Sequence, residues 1–299
     1  MAEVEVEAKP ARGRGRSPTQ LAVRRLKKNR LALFGFGVIC VIVLLGLFPS
    51  LFAPHDPTQQ FEAEESWQVA PFTTSKHLLG TDELDRDVLS RLIYGAGISL
   101  RVGVIGTGVA VFIGVLLGAL AGYFAGFADW MISRLTDTFF AIPSLLLAIG
   151  ILAISEEPTE TVIFAALGLV GWPGVARIVR GQVISLRGSE YVLAAQALGQ
   201  SSPKILIRHI LPNCMGPIVV VSTLMIAGNI LGEAGLSFLG IGLPPPSPSW
   251  GRMLVDSKEL WTRMPWMGIL PGLAISITVL GFNLFGDGLR DAFDPKMRA

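Results

Sequence analysis

Between Leu31 and Ala53 the chain runs for 23 residues without a single charged side chain. At 1.5 Å per residue a helix of that length reaches about 35 Å, enough to cross a hydrocarbon core of roughly 30 Å. Val102–Phe127 and Met264–Gly286 are uncharged over similar lengths. Three weaker candidates complete the set. Thr138–Ser155 is shorter, Thr161–Ala176 is interrupted by Gly171-Trp172-Pro173-Gly174, and Gly216–Phe238 contains Glu233. Only 16% of the residues are charged, against about 25% in soluble globular chains, so there is little water-facing surface to build. The reading is an all-α polytopic membrane protein with six transmembrane helices.

The distribution of cations gives a direction. Six spans put both termini on one side, and the segments of that side hold eighteen Lys and Arg against six on the other. The cation-rich side faces the cytoplasm, which makes both termini and the stretch Ser189–Asn213 cytoplasmic. The basic tail "RGRGRSPTQLAVRRLKKNR" is read as this orientation signal, not as a nucleic-acid patch. The chain divides into a basic tail over 1–30, an N-terminal anchor helix over 31–53 and an extracytoplasmic loop over 54–96. A five-helix core over 97–289, which includes a cytoplasmic loop at 185–213, and a short tail over 290–299 complete it. Within the extracytoplasmic loop, Thr81 or Asp82 can cap a helix whose apolar face is Leu84, Val88, Leu89 and Leu92. That predicts an amphipathic helix at the outer interface before the second span.

Inside the second candidate, Gly106, Ala110, Gly114, Gly118, Gly122 and Gly126 recur every fourth residue, a continuous smooth stripe on one helix face. In lipid such stripes allow close backbone approach, either to another span of this chain or to a second transmembrane subunit. Glu233 carries two readings: it lines a polar translocation path, or it sits near the outer interface and bonds local backbone groups. Cys40 and Cys214 read as packing groups. His55, His77 and His209 are scattered, which argues against a metal site built from this chain alone.

The stretch "SEYVLAAQALGQSSPKILIRHILPN" reads as a helix, a stop and a second helix. Glu190–Leu198 is rich in Ala and Leu, Gly199 suits a left-handed C′ position, and Ser201 or Ser202 can cap the second helix. Pro212 and Pro217 are expected to redirect the chain into the fifth span. Ala194, Ala195 and Ala197 give the first helix a thin profile that fits a groove on another molecule.

This stretch carries a family resemblance. Ala194-Ala195, Gly199 and Leu211-Pro212 fall at the spacing of the cytoplasmic loop of ABC-importer permeases, with Leu193 where that motif has a glutamate and Glu190 one turn earlier. "HLLGTDELDRDVLSRLIYGAGISL" is similar to a segment of the C-type permeases of dipeptide, oligopeptide and nickel importers, with Leu78 in place of the usual Pro and Asp85 in place of the usual Gly. "EAGLSFLGIGLPPPSPSWGRML" and "PGLAISITVLGFNLFGDGLRDAFDP" resemble that group's C-terminal segments. The resemblance implies the type I permease fold in the inner membrane and a translocation path formed with a sister permease. It also implies a coupling loop that docks on two cytoplasmic ABC ATPase subunits, and an extracytoplasmic solute-binding protein. ATP and Mg would then be bound by the ATPases, with no cofactor in this chain. Peptides lead as cargo, with nickel or another small solute as the alternative.

Other classes fare worse. No G-x-x-x-x-G-K-[ST] phosphate loop occurs, so the chain is not expected to be the ATPase itself. Gly97-Ile98-Ser99-Leu100 and Ser201-Ser202-Pro203-Lys204 resemble short protease patterns, yet no histidine lies in a predicted span to serve Ser99. A gradient-driven transporter would want more buried charge than Glu233 alone.

Overall fold

In a computed structural model, residues 18–61, 68–155 and 159–293 are described. Most of the basic tail and the last six residues lie outside them. The helices are α1 (Pro18–Leu26), α2 (Arg30–Leu47), α3 (Pro49–Phe52), α4 (Val88–Phe124), α5 (Gly126–Ala141), α6 (Ser144–Leu152), α7 (Glu160–Arg187), α8 (Glu190–Ala197), α9 (Ser202–Phe238), α10 (Trp250–Asp256) and α11 (Trp266–Phe293). Among the described residues no strand forms, only two isolated bridges, Gln60 to Arg86 and Thr81 to Asp87.

Five helices (α2, α4, α7, α9 and α11) are long and apolar enough to cross a membrane. α5 and α6 pass the same test only together, as a pair bent by 90° relative to each other. The break has a local cause: Pro143 pushes Ile142 out of the helical region, to φ −103° and ψ 129°. The stretch 138–155, expected as one span, is therefore not one straight helix but is divided between the end of α5 and α6.

Two further spans are longer than expected: α7 runs on past Ala176 to Arg187, and α9 begins before its prolines, at Ser202. α7 continues through Pro173, and α9 contains both Pro212 and Pro217. Each proline forfeits one backbone hydrogen bond, a loss that packed neighbours and local turn adjustments accommodate in membrane helices. In α9 the adjustment is visible as a π-helical turn over Leu206–Ile210, directly before Pro212. The chain is not redirected at Pro212; one 37-residue helix runs from Ser202 to Phe238.

The bundle is built on contact between α4 and α7. A Cβ added at Gly114 would lie 2.5 Å from the Val175 Cβ, at Gly118 2.5 Å from the Ala176 carbonyl oxygen, and at Gly122 2.8 Å from the Arg180 carbonyl oxygen. Gly168 of α7 reciprocates, with its missing Cβ 2.5 Å from Val109. Of the two readings of the stripe, the structure takes the internal one: these glycines face a helix of the same chain. Gly106 packs more loosely, near Leu167 and Asn229. Gly126 does not belong to the row, because α4 ends at Phe124 and Gly126 opens α5 at φ +57° with nothing near it.

α2 lies at the periphery and buries only Ala32 and Gly35 along its length. Glycine contacts at both ends hold it: Gly35 against Gly281 of α11, and Gly46 against Gly97 of α4. Facing outward are Phe112, Leu116, Leu47 and Phe127, each more than half exposed, a surface that suits hydrocarbon and not water.

Gly118→Ala is expected to lower the melting temperature of the detergent-solubilised protein, with an overpacking cost of about 1–3 kcal/mol. Gly108→Ala, on the open face of the same helix with nothing within 4 Å, is expected to leave it unchanged. Equal effects of the two substitutions contradict this packing.

Candidate functional site

The segment between α7 and α9 forms a compact knob. Ser189 occupies the N-cap position of α8 in extended conformation, and its Oγ donates to the Leu186 carbonyl at 2.6 Å. At the other end Gly199 adopts φ +73°, the left-handed conformation that the sequence predicts there. The Gln200 N–H donates to the Ala195 carbonyl at 3.1 Å and the Gly199 N–H to the Gln196 carbonyl at 2.9 Å, the paired bonds of a Schellman stop. Ser201 takes the N-cap position of α9, although its side chain makes no capping bond, and Pro203 lies in the first turn. The His209 Nε2 lies 3.1 Å from the Gln200 Oε1, which ties the turn to the π-helical segment.

The knob has two faces. Val192 and Ala195 are buried in a cluster with Val179, Val183, Ile205 and Ile210, so α8 is rooted in the cores of α7 and α9. Tyr191, Leu193 and Leu198 are exposed, Leu198 at 80%, and Glu190 and Ala194 lie on the surface with them. Lys204 and Arg208 add exposed cations on the adjoining turn. One expectation is corrected: Ala195, read as part of an outward alanine face, points into its own chain. The surface open to a partner is Tyr191, Leu193, Ala194 and Leu198. Leu211 is half-buried and Pro212 exposed at the base of α9, beyond the π turn.

At the opposite end of the bundle a network of charges closes the structure. The Asp82 Oδ1 accepts from the Leu84 and Arg86 backbone N–H groups at 2.9 and 3.0 Å, and its Oδ2 from the Arg86 Nε at 2.7 Å. Arg91, buried in the first turn of α4, pairs with Asp82 at 3.4 Å and with Asp256 at 3.2 Å. Arg252 completes the set on Asp256 at 2.9 Å. Partial burial, then the Asp256 and Asp82 carboxylates, push the Glu83 carboxyl above its ordinary range. The indole N–H groups of Trp250 and Trp266 donate to the carbonyls of Leu92 and Thr81 at 2.9 and 3.4 Å. Residues far apart in sequence thereby fasten α10 and the start of α11 to the start of α4.

The expected amphipathic helix over this region does not form. Residues 81–87 are a turn held by Asp82, and the helix begins only at Val88, capped by Asp87, whose side chain accepts from the Ser90 N–H at 2.8 Å. It then runs straight into the second span. Asp85 stands at φ +55°, where its usual glycine counterpart would be at ease. Its Oδ1 accepts from the Gln68 N–H at 2.7 Å, which offsets part of that strain.

Glu233 is not in a polar path. It is 1% exposed, and its Oε1 accepts from the Ser237 and Ser249 hydroxyls at 2.8 and 3.0 Å. The acid joins α9 to the N-terminus of α10, through hydroxyl groups and not the backbone bonds expected. Ser99 is buried and its hydroxyl has no hydrogen-bond partner, so no base activates it. Cys40 and Cys214 are free thiols, as packing groups would be. His209 stands alone, but His55 and His77 are brought together with ring centroids 5.1 Å apart, a juxtaposition their spacing in the sequence did not reveal.

Comparison with known proteins adds to this geometry. Residues 114–299 match the family described as binding-protein-dependent transport system inner membrane component. Residues 17–71 match the N-terminal TM domain of oligopeptide transport permease C. The chain is 40% identical over 288 residues to the dipeptide transport system permease protein DppC of Alkalihalophilus pseudofirmus, covering 95% of this chain and 91% of that one. It is 40% identical over 279 residues to the oligopeptide transport system permease protein OppC of Bacillus subtilis, covering 93% and 89%. The glutathione transport system permease protein GsiD of Pectobacterium atrosepticum is 38% identical over 284 residues, covering 95% and 93%.

Substitutions at two positions test the packing of these side chains. Asp85→Ala keeps the strained backbone and loses the bond to Gln68, so thermal unfolding should show a loss of about 1 kcal/mol, whereas Asp85→Gly should be near neutral. Glu233→Gln retains an acceptor for both serines and should preserve stability and transport together. Glu233→Leu strands two buried hydroxyls and should cost about 1–3 kcal/mol. Loss of transport in a fully stable Glu233→Gln protein contradicts a structural role.

Proposed function

This chain belongs to the family of binding-protein-dependent transport system inner membrane components, and from that membership we propose that it is a permease subunit of an ATP-driven peptide importer. Peptides as cargo rest on the relatives, which are named for dipeptides, oligopeptides and glutathione. The proposed assembly pairs this chain with a sister permease in the inner membrane and two ATPase subunits on the cytoplasmic side. A solute-binding protein delivers cargo at the outer face. ATP and Mg are held by the ATPases, and this chain contributes no catalysis. The excess of cations supports a cytoplasmic location for both termini and for the knob at α8.

The observation that carries this reading is the two-faced knob. Its outer residues Tyr191, Leu193 and Leu198 are exposed apolar groups on a surface that borders Lys204 and Arg208, which suits a protein partner more than lipid tails. Its inner residues Val192 and Ala195 are packed into α7 and α9. A force on the outer face therefore reaches two spans directly, with no slack segment between. α7 is locked to α4 along the glycine seam, so the two would move as one body. At the far end of α4, Arg91 connects that body to Asp256 and the outer loops. Alternating access then requires only that nucleotide-bound and nucleotide-free ATPases favour different arrangements of these bodies.

In an assembled complex, a crosslinker at Leu198→Cys is expected to capture an ATPase subunit, and one at Ala195→Cys to fail. An impermeant thiol reagent should label Leu198→Cys only from the cytoplasmic side. Gly199→Val has room for its side chain but carries a backbone penalty of about 1–2 kcal/mol at positive φ, more for a branched residue. It should insert normally and lose peptide-stimulated ATP hydrolysis. Unchanged uptake and stimulation in that variant count against the proposal.

A further inference from the structure

We propose that His55, His77 and Asp87 form a binding site for a divalent transition-metal ion of the Zn2+, Ni2+ or Co2+ type, at the junction of the N-terminal anchor and the start of α4. The three side chains come from separate stretches: the segment after α3, the turn before Gly80, and the N-cap of α4. Their ligand atoms all lie within 4.8 Å of one another, and among the described residues no other trio of His, Cys, Asp or Glu does so. The His77 Nδ1 is 3.0 Å from the Asp87 Oδ1, and the His55 Nδ1 is 3.9 Å from the Asp87 Oδ2. In a tetrahedral shell with bonds of about 2.1 Å the ligands stand roughly 3.4 Å apart, so small side-chain rotations close the set around one ion.

A hydrogen-bonded His–Asp pair would account for His77 and Asp87 but leaves His55 unexplained. The His55 Nδ1 is buried and has no hydrogen-bond partner, and 3.9 Å to Asp87 is too long for one. A buried imidazole nitrogen aimed at a carboxylate that it does not reach is the arrangement an ion between them would satisfy.

The surroundings orient the ligands as metal sites require. Ser90 holds the Asp87 Oδ2 with its N–H and hydroxyl, at 2.8 and 2.7 Å, which fixes the carboxylate with Oδ1 toward His77 and Oδ2 toward His55. The same Ser90 Oγ accepts from the His55 N–H at 3.1 Å, so one residue positions two of the three ligands. Phe61 stands edge-on to both imidazoles, at 4.9 and 4.6 Å between ring centroids, and walls the site. His77 and Asp87 are fully buried, whereas the His55 side chain is 23% exposed, which leaves an approach for the ion and a position for water or a fourth ligand. Two neutral imidazoles and one carboxylate form a mixed N/O set that favours borderline divalent ions over Mg2+ or Ca2+, which prefer all-oxygen shells. An ion here would clamp the segment after the anchor helix to the first turn of α4, independently of the transport reading.

The test uses the full-length protein in detergent, carrying a purification tag without histidine, stripped with a chelator and then titrated with Zn2+. One Zn2+ per chain, measured by elemental mass spectrometry, and a rise in melting temperature on its addition are expected. Co2+ in place of Zn2+ should give the visible absorption of a low-symmetry site. His55→Ala should abolish both stoichiometric binding and the metal-dependent rise in melting temperature, and the loss of its ring contacts with Phe61 and His77 is read separately, as the change in the metal-free melting temperature. Ser90→Ala should weaken binding by about 10- to 100-fold. Absence of stoichiometric Zn2+ in the wild-type chain, or equal binding by His55→Ala, overturns the proposal.

Discussion

In hydrocarbon, apolar side chains gain little by leaving lipid for one another, so two helices associate only where their backbones can come close. The seam between α4 and α7 meets that condition through Gly114, Gly118 and Gly122 on one side and Gly168 on the other. Carbonyl oxygens and valine side chains of α7 occupy the space where side chains of α4 would stand. The seam fixes the axis of α7, and α7 in turn fixes the knob that succeeds it after Arg187. The same device recurs on a smaller scale where α2 docks at Gly281 and Gly97.

Polar groups close the two ends that the seam leaves open. On the side of the termini, the Schellman stop at Gly199 and the His209–Gln200 contact make a rigid corner out of what a membrane chain could have left as a loop. On the opposite side, Asp82, Arg91 and Asp256 form a buried network that ties the turn before α4 and the end of α10 to the first turn of α4. Removing one partner of such a buried pair would leave an uncompensated buried charge, so these three residues stand or fall together. The knob, the seam and the network thus form one contiguous run of contacts from one end of the bundle to the other.

Much of this was legible in the sequence, and the reasons for the failures are physical. Uncharged stretches and four-residue glycine spacing are local signals, and Gly199 announced its own conformation. The prolines misled, because Pro173 and Pro212 end helices in water but lie inside packed membrane helices here. Asp87, and not Thr81 or Asp82, caps α4, since the side chain of Asp82 is engaged by Leu84, Arg86 and Arg91. The inward face of Ala195 could not be read from α8 alone, whose apolar residues are not gathered on one face; it depends on where Val183 and Ile210 lie. The pairings of Arg91 with Asp256 and of His55 with His77 join separate loops and leave no mark in local pattern. The sequence leaves Glu233 with two readings because the hydroxyl of Ser249, which lies outside α9, is not visible in local pattern.

The central claim is that α8, the Gly199 turn and the start of α9 act as one rigid body. Spin labels at Leu198 and Ile207, both exposed, measure this directly in the assembled transporter. A single narrow distance distribution that is the same with and without ATP is predicted. A broad distribution, or one that shifts with nucleotide, would contradict the account.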